Sequence, residues 1–475
     1  GNVVNGASIY YDGAEIGKTD QNGELSYVFT RSGRITLYAI DANGRSWNTD
    51  VVINQALSEN DGKPFGIQNN GVKDGSSEFN VTWLTSIEGS LTAQSYIRYS
   101  DVYKTAEELA GLSNILGRNT IISFTETNVG NSYRLNEISL SGLKENTTYY
   151  YQVGTEIVDG VINWSEVLTF TTAPKDKDAD TNFFILGDIQ TNDTANLSYA
   201  LNMINYNAKQ AGYKMDFGIQ TGDAIDNVTA FNNWRNFLTT VNASKLYGVP
   251  LIHALGNHEY YGDANGDISG SLYGLPKTTQ GSFYSFEYGS IYVGVINNGG
   301  NILNAIEELK EDVKNTKCSW KIVVTHEPIY GTESLMEESR RLKVVQGFEE
   351  AGIDFVFGGD DHAYARTYPL KGDKILAENS REGVVYYIVG DLSSKDNEYH
   401  NRDYYVYSKP HNEYQGMYLQ VRATKEEITI TAVQYNGEVP YDIYTVRKTD
   451  CELGKHTYDE TSIYDIHNKT LTCSL

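Results

Sequence analysis

Five short apolar runs in the second half of the chain each end in side chains that can hold a cation or move a proton. The run 183–186 leads to Gly187-Asp188-Ile189-Gln190, and 217–221 leads to Gly222-Asp223-Ala224-Ile225-Asp226. The run 251–255 leads to Gly256-Asn257-His258-Glu259, 322–325 to His326-Glu327-Pro328, and 355–357 to Gly358-Gly359-Asp360-Asp361-His362. Carboxylates, a carboxamide and imidazoles are donors for divalent cations, and a nearby histidine can hand a proton to a leaving group. In open α/β sheets, sites form beyond the carboxyl ends of strands, so five strand ends can converge on one crevice. Alone, each fragment has a plainer reading. A Gly-Asp after a strand is usually a turn, a lone His326 is more often a satisfied core histidine, and Asn257 can cap a helix. The ordered series of five is what sets them apart.

The elements that must position these clusters follow from the pattern. After a polar linker, Ala173-Pro174-Lys175-Asp176-Lys177-Asp178-Ala179-Asp180, apolar runs alternate with helical periodicity, which argues a sheet covered by helices. One helix is expected over 196–210, with Leu197, Leu201 and Ile204 on one face. Another is expected over 303–316, with Leu303, Ile306, Leu309 and Val313. Before the linker the reading is all-β. Residues 1–60 give short strands near 7–11, 25–29 and 35–39, cut by Asp12-Gly13, Asn22-Gly23 and Asn43-Gly44, as in a small β-sandwich. They are similar to the immunoglobulin-like modules of bacterial surface proteins. Residues 63–173 repeat the pattern with longer strands. There, Leu143-Lys144-Glu145-Asn146-Thr147-Thr148-Tyr149-Tyr150-Tyr151-Gln152-Val153 resembles a fibronectin type III strand, with Glu145 in place of the usual proline. Residues 448–475 read as a polar tail or linker.

The chain has 475 residues and a formal net charge of −24. Such acidity opposes a nucleic-acid polymer or an anionic lipid surface, both of which are gripped by Lys and Arg. It leaves room for a small phosphorylated substrate held locally by metal ions. No apolar stretch reaches 18 residues, so no helical membrane insertion is expected. Cys451 and Cys473 could close a bridge worth about 3 kcal/mol, and Cys318, before an apolar run, reads as a buried free thiol.

The ordered clusters resemble the metallophosphoesterase superfamily, and within it purple acid phosphatases, bacterial relatives above all. That pattern runs Gly-Asp-x-Gly, Gly-Asp-x-x-Tyr, Gly-Asn-His-Glu, Val-x-x-His and Gly-His-x-His. Gly281-Ser282-Phe283-Tyr284-Ser285-Phe286-Glu287-Tyr288-Gly289 resembles the family hairpin, and His362-Ala363-Tyr364-Ala365-Arg366 its His-Ala-Tyr-x-Arg. The resemblance covers about 63–447. It implies a multidomain chain: two N-terminal all-β sandwiches, then an α/β catalytic domain at 181–447 in which a β-sheet sandwich is flanked by helices. It implies two divalent ions (Fe, Mn or Zn), the first on Asp188, Asp223 and His362. Asp223 bridges to the second, which also takes Asn257 and His326. His258 faces the substrate phosphate as general acid or charge stabiliser, and Glu259 orients it. The implied reaction is hydrolysis of a phosphate mono- or diester by a hydroxide formed between the ions.

Three positions depart from the family. Asp226 replaces the iron-binding tyrosine, Asp360 replaces the first histidine of Gly-His-x-His, and Gln190 stands where glycine usually follows. Asp226 could bind metal or brace a ligand, Asp360 could supply a hard oxygen to the second ion, and Gln190 could fill the gap instead. Two divalent ions balanced by Asp188, Asp223, Asp360 and hydroxide leave a neutral centre, or a negative one if Asp226 also binds. That tilts the expectation toward diesters or unusual phosphoesters and toward ions that suit carboxylates. The same departures fit a rival: a binding or adhesive surface protein whose phosphatase-like domain has lost turnover. Cleavage of a phosphonate or sulfate ester is a further option. The surface-type modules imply an extracellular or cell-surface address, with possible cell-wall attachment through the flanking domains. The run Asp403-Tyr404-Tyr405-Val406-Tyr407 could stack on a sugar or base, though packing is the commoner use.

Overall fold

A computed structural model describes residues 4–448, except 12–13, 28–32, 42–43, 47–48, 54–61, 87–93, 125–130, 159–160, 191–193, 245, 247, 277–281, 379, 394, 412–415 and 435–439. Cys451, Cys473 and the polar tail lie outside the described residues.

The N-terminal module is one antiparallel sheet of Ser8–Tyr11, Ala14–Lys18, Gly33–Asp41, Gly44–Arg45 and Thr49–Ile53. No second, facing sheet is present among its described residues. Of the strand expected over 25–29, residues 24–27 are irregular and 28–29 are not described. In place of a partner sheet the module meets the helices Ala195–Gln210 and Phe231–Ala243, and the Tyr11 hydroxyl donates to the Ala243 carbonyl at 3.2 Å.

Residues 64–172 form two antiparallel sheets around Phe79, Val81, Trp83, Ile97, Tyr149, Tyr151, Val153 and Phe170. Tyr149, Tyr151 and Val153 alternate along one strand, as the period of two demands, and pack inward. One of these sheets does not stop at the domain border. Phe65–Asn70 lies parallel beside Leu251–His253, so a single ten-stranded sheet runs through both parts of the chain.

The α/β part contains β1 (Thr181–Leu186), α1 (Ala195–Gln210), β2 (Phe217–Gln220), α2 (Phe231–Ala243), β3 (Leu251–His253), β4 (Phe283–Tyr288), β5 (Ile291–Ile296), α3 (Ile302–Asp312), β6 (Trp320–Thr325), α4 (Glu338–Ala351), β7 (Phe355–Gly358), β8 (Ala363–Thr367), β9 (Val385–Val389), β10 (Tyr405–Pro410), β11 (Met417–Ala423), β12 (Glu427–Gln434) and β13 (Asp442–Arg447). Its first sheet is ordered β3-β2-β1-β11-β12-β13, the second β4-β5-β6-β7-β9-β8-β10. The two sheets face each other across one core. Phe183, Ile185, Phe217 and Ile219 point inward from the first, and Val293, Val295, Ile322 and Val324 from the second. The alternate residues Phe184 and Leu186 pack outward under α1 and α2, and Val323 and Val356 pack under α3 and α4. Both faces of each central strand are therefore apolar, which explains the unbroken runs in the sequence. Leu197, Leu201 and Ile204 are buried as the periodicity requires, and α3 ends at Asp312 with a 3₁₀ turn carrying Val313. Cys318 is free and buried. Tyr404 and Tyr405 meet edge to face, and Tyr404 packs edge-on against Tyr330, the packing use of that run.

Candidate active site

Three parallel strands in each sheet, β1, β2 and β3 in the first and β6, β7 and β9 in the second, deliver their carboxyl ends to one place. Five of these ends carry the clusters read from sequence. The sixth, β9, ends in Gly390-Asp391, and Asp391 pairs with Asp188 in an isolated parallel bridge between the two sheets. Among the described residues, four of the five non-glycine residues with positive φ sit here: Gln190 at 34°, Asp223 at 57°, Asp360 at 66° and His362 at 48°. Backbone held in this sparsely populated region concentrates where function over-determines it. Gly222, at φ 110°, lies so close that an added Cβ would stand 2.6 Å from His326 Nδ1.

Asp188, Asp223 and His326 are fully buried and each offers a ligand atom within 4.8 Å of the other two. His326 Nδ1 meets the Thr221 carbonyl at 3.1 Å, which as donor fixes the tautomer and leaves Nε2 to face the cluster. Around that Nε2 converge Asn257 Oδ1 at 3.0 Å, Asp223 Oδ2 at 3.2 Å and Asp360 Oδ1 at 3.4 Å. His362 is built the same way. Its Nδ1 meets Asp391 Oδ2 at 3.1 Å and Ser393 Oγ at 2.9 Å, while Nε2 stands 3.3 Å from Asp188 Oδ2. Gln190 Nε2 donates to Asp223 Oδ2, and the Asp360 amide donates to Asp188 Oδ1 at 3.0 Å. His362 thus contacts Asp188 and Gln190 contacts Asp223, while Asn257, Asp223 and Asp360 gather on His326.

Electrostatics match this crowding. Burial pushes the Asp188 carboxyl upward against the pull of His326 and His362. Burial also opposes ionisation of Asp223, yet His326 and His258 together hold its carboxyl below the usual range. Burial works against charge on both histidines, but Asp223 and Asp188 hold His326 well above its ordinary value, and Asp188 and Asp391 raise His362 to about 10. Buried carboxylates facing one another favour a positive partner. Asp188 Oδ2, Gln190 Oε1 and Thr221 Oγ1 are buried without a hydrogen-bond partner. Carboxylate oxygens, an amide oxygen and two imidazole Nε2 atoms form the mixed donor set that first-row divalent ions accept. The residues present fit a pair of such ions.

One sequence expectation is corrected. Glu259 does not reach the His258 ring. It is buried in the turn, where its carboxylate accepts from the main-chain amides of Asp223 at 2.7 Å and Gly256 at 2.8 Å. Burial and the Asp223 charge raise Glu259 to about 8. It binds two cluster-bearing turns together, and the His258 ring is instead taken by the Asp226 carbonyl, 2.7 Å from Nδ1. Asp226 turns its carboxylate away from Asp188 and His362. Oδ1 lies 3.0 Å from Lys395 Nζ and 3.6 Å from His258 Nδ1. His258 Nε2 faces Asp223 Oδ2 at 3.8 Å. Asp361, between Asp360 and His362, points away and accepts from the Thr332 and Glu333 amides; burial raises it to about 6. Tyr364 and Arg366 of the His-Ala-Tyr-x-Arg stretch both bond Asp442, so they brace β8 against β13.

Asp391, Ser393, Lys395 and His411 were not singled out from the sequence. Asp391 carried the same signal as Asp188 and Asp223, an apolar strand ending in Gly-Asp. His411 Nδ1 reaches Asp391 Oδ1 at 2.6 Å from the far side.

Residues 181–364 match the calcineurin-like phosphoesterase family, and residues 64–172 match the purple acid phosphatase N-terminal domain. Among curated proteins the chain is 25% identical over 306 residues to "Probable inactive purple acid phosphatase 27" of Arabidopsis thaliana, covering 54% of this chain and 48% of that protein. It is 25% identical over 339 residues to "Fe(3+)-Zn(2+) purple acid phosphatase 12" of the same plant, covering 66% and 68%. It is 26% identical over 288 residues to "Phosphoenolpyruvate phosphatase" of Allium cepa, covering 54% and 57%. The first and third of these matches thus span about half the length of the relative. The fold is also that of purple acid phosphatase PPD1 from yellow lupin seeds, with a TM-score of 0.67 at 13% identity over 88% of this chain and 80% of that one. The chain therefore carries a calcineurin-like metallophosphoesterase domain behind a purple acid phosphatase N-terminal domain.

Proposed function

We propose that the protein hydrolyses small phosphate esters at a pair of divalent ions held by the six strand ends. The observation that supports this most directly is the buried Asp188–Asp223–His326 cluster, with Asn257, Asp360 and His362 closing on it. Asp188, His362 and Gln190 would hold one ion, Asn257, His326 and Asp360 the other, and Asp223 would touch both. Ions bound there would neutralise phosphate charge and supply an activated water.

The chain's own residues do the rest. Asp391 and Ser393 keep the His362 ring turned toward the cluster. The Thr221 carbonyl does the same for His326. His258, with Nδ1 tied to the Asp226 carbonyl, presents Nε2 to the substrate side of Asp223, where it steadies the phosphate or gives a proton to the departing oxygen. Buried strand ends exclude bulk water from behind the phosphate, which strengthens every charge interaction in front of it.

Several relatives bear names that include "inactive", and Asp226 turns outward. These two observations favour the second reading, a surface binding protein whose phosphatase-like domain no longer turns over. Metal content measured beside rates on p-nitrophenyl phosphate and bis(p-nitrophenyl) phosphate separates the two. Two bound metals with turnover of either ester support the enzyme, and metal-loaded protein inert to both supports the binding protein.

A further inference from the structure

The tally of charge around the site changes once Lys395 is placed. Among the described residues its ammonium lies 3.0 Å from Asp226 Oδ1, with its side chain 39% and the Asp226 side chain 44% exposed. Three successive contacts lead outward from the cluster: Asp223 to His258 at 3.8 Å, His258 to Asp226 at 3.6 Å, and Asp226 to Lys395 at 3.0 Å. Lys395 therefore stands two residues beyond His258, the group proposed to face the scissile phosphate, with Asp226 between them. The segment that carries it is pinned at four points. Asp391 and Ser393 hold His362, Lys395 holds Asp226, and Asn397 Nδ2 donates to the Asp360 carbonyl at 3.2 Å. The Lys395 amide itself donates to Ser393 Oγ at 3.1 Å. A flexible cation is thus anchored at its backbone, while its head remains partly in water and has two N–H groups beyond the one given to Asp226.

We propose that Lys395 determines substrate choice by binding a second anionic group, a carboxylate or another phosphate, carried on the leaving-group side of the ester. The proposal rests on the phosphoesterase reading above and deepens it. In a chain of net charge −24, a small polyanion meets repulsion nearly everywhere, and a cation at the mouth gives it a local point of capture. Asp226 keeps that cation parked and aligned until the substrate's own anion takes it over. A lysine suits the task because its ammonium is a compact charge on a long stem that can swing between two carboxylate-like partners. With Lys395 placed, the charge of Asp226 is answered, so the negative centre expected if Asp226 binds reverts to a neutral one, and part of the reason to favour diesters over anionic monoesters falls away.

The test uses the full metal-loaded chain and two substrates that differ in the second anion: inorganic pyrophosphate and p-nitrophenyl phosphate. In Lys395→Gln, the ratio of kcat/KM for pyrophosphate over p-nitrophenyl phosphate should fall about tenfold or more, through KM, as expected for loss of one charge-assisted contact. Lys395→Arg should restore most of the ratio, and the exposed control Lys374→Gln should not move it. Isothermal calorimetry gives a second readout without turnover, using methylenediphosphonate, whose P–C–P link is not hydrolysed: Lys395→Gln should weaken its binding more than inorganic phosphate binding by a similar factor. A ratio unchanged in Lys395→Gln, or equal losses for both ligands, overturns the proposal. A wild type that binds metal but hydrolyses neither substrate overturns the phosphoesterase reading instead, and the calorimetric comparison then still decides the role of Lys395.

Discussion

Asp188 and Asp391 lie side by side in a parallel bridge, although they end strands of opposite sheets. The Leu392 amide donates to the Asp188 carbonyl at 2.7 Å, and the Met417 amide donates to the Asp391 carbonyl at 2.9 Å. At this point the two layers of the core are joined through hydrogen bonds as well as through side-chain packing. Asp188 faces the cluster, and Asp391 sits behind it, gripping His362 and His411. In the proposed site one carboxylate would meet the ions, and the other would set the angle of an imidazole that does.

Asp391→Asn should therefore leave the fold in place and weaken metal binding by about 10–100-fold, the usual cost of losing a carboxylate behind a ligating histidine. Competition with a chelator, followed by metal analysis, measures this. An affinity equal to that of wild type would show that His362 needs no such support.

His258→Ala should retain both metals and lower turnover by about 10²–10⁴, the range for a positioned acid–base group. Asp223→Asn should lose metal and turnover together, since Asp223 would touch both ions. Equal metal loss in the two variants would make His258 a ligand.

Asp360 Oδ1 lies 3.4 Å from His326 Nε2, so Asp360→His would exchange a charged hard oxygen for a neutral nitrogen beside that imidazole. The expected result is a shift in metal preference toward zinc over manganese and better monoester cleavage relative to diester cleavage. Identical metal content and identical rates in variant and wild type would remove position 360 from the site.

Asp226 stands at the position of the family's iron-binding tyrosine, and its carboxylate goes to Lys395. The isolated protein should show no visible tyrosinate-to-iron band. A purple preparation that bleaches on reduction would contradict this, and Tyr261, whose hydroxyl accepts from Asn257 Nδ2 at 2.9 Å, would be the first side chain to replace.

Asp216 offers a test of stability away from the site. Burial raises its carboxyl from 3.8 to about 6, although it accepts from the Asn182 amide at 2.7 Å. The folded chain thus holds this proton more tightly than the unfolded one. Stability contributed by the group is present below pH about 4 and is lost as pH rises through about 6. Asp216→Asn keeps an acceptor for Asn182 without the charge. It should raise the Tm at pH 8, where up to about 3 kcal/mol of penalty is relieved, and change it little at pH 4. An equal shift at both pH values would assign the effect to packing.

The strand-end clusters were legible because local sequence fixes them: a strand buried on both faces reads as an unbroken apolar run, and a sharp turn at its end asks for glycine. Asp391 carried the same signature and was legible in principle. Lys395 was not, because it lies in a polar stretch without periodicity and gains its role only from the place where 390–397 crosses the site. Glu259 was misread for a related reason. Sequence gives its distance along the chain from His258, while the turn decides which atoms it reaches, and the main-chain amides of Asp223 and Gly256 outcompeted the expected side chain. The N-terminal module was read as a sandwich from strand spacing alone, and spacing cannot tell whether the second layer is a sheet or, as here, a pair of helices. The ten-stranded sheet was beyond reach too, since the pairing of Asn70 with Leu251 joins residues far apart in sequence.

That shared sheet has a consequence for handling the protein. Without Phe65–Asn70, the strand Leu251–His253 would be an open margin, presenting unpaired amides and carbonyls to any other chain in solution. The N-terminal domain closes that margin and also ties it down: Asn69 Nδ2 donates to the Gly248 carbonyl at 3.1 Å, and Gln68 Nε2 lies 3.1 Å from His253 Nε2. Asn257 and His258 follow directly from this strand. Excision of the catalytic half would thus leave the strand that carries them sticky and loosely registered, making the two domains one unit of expression.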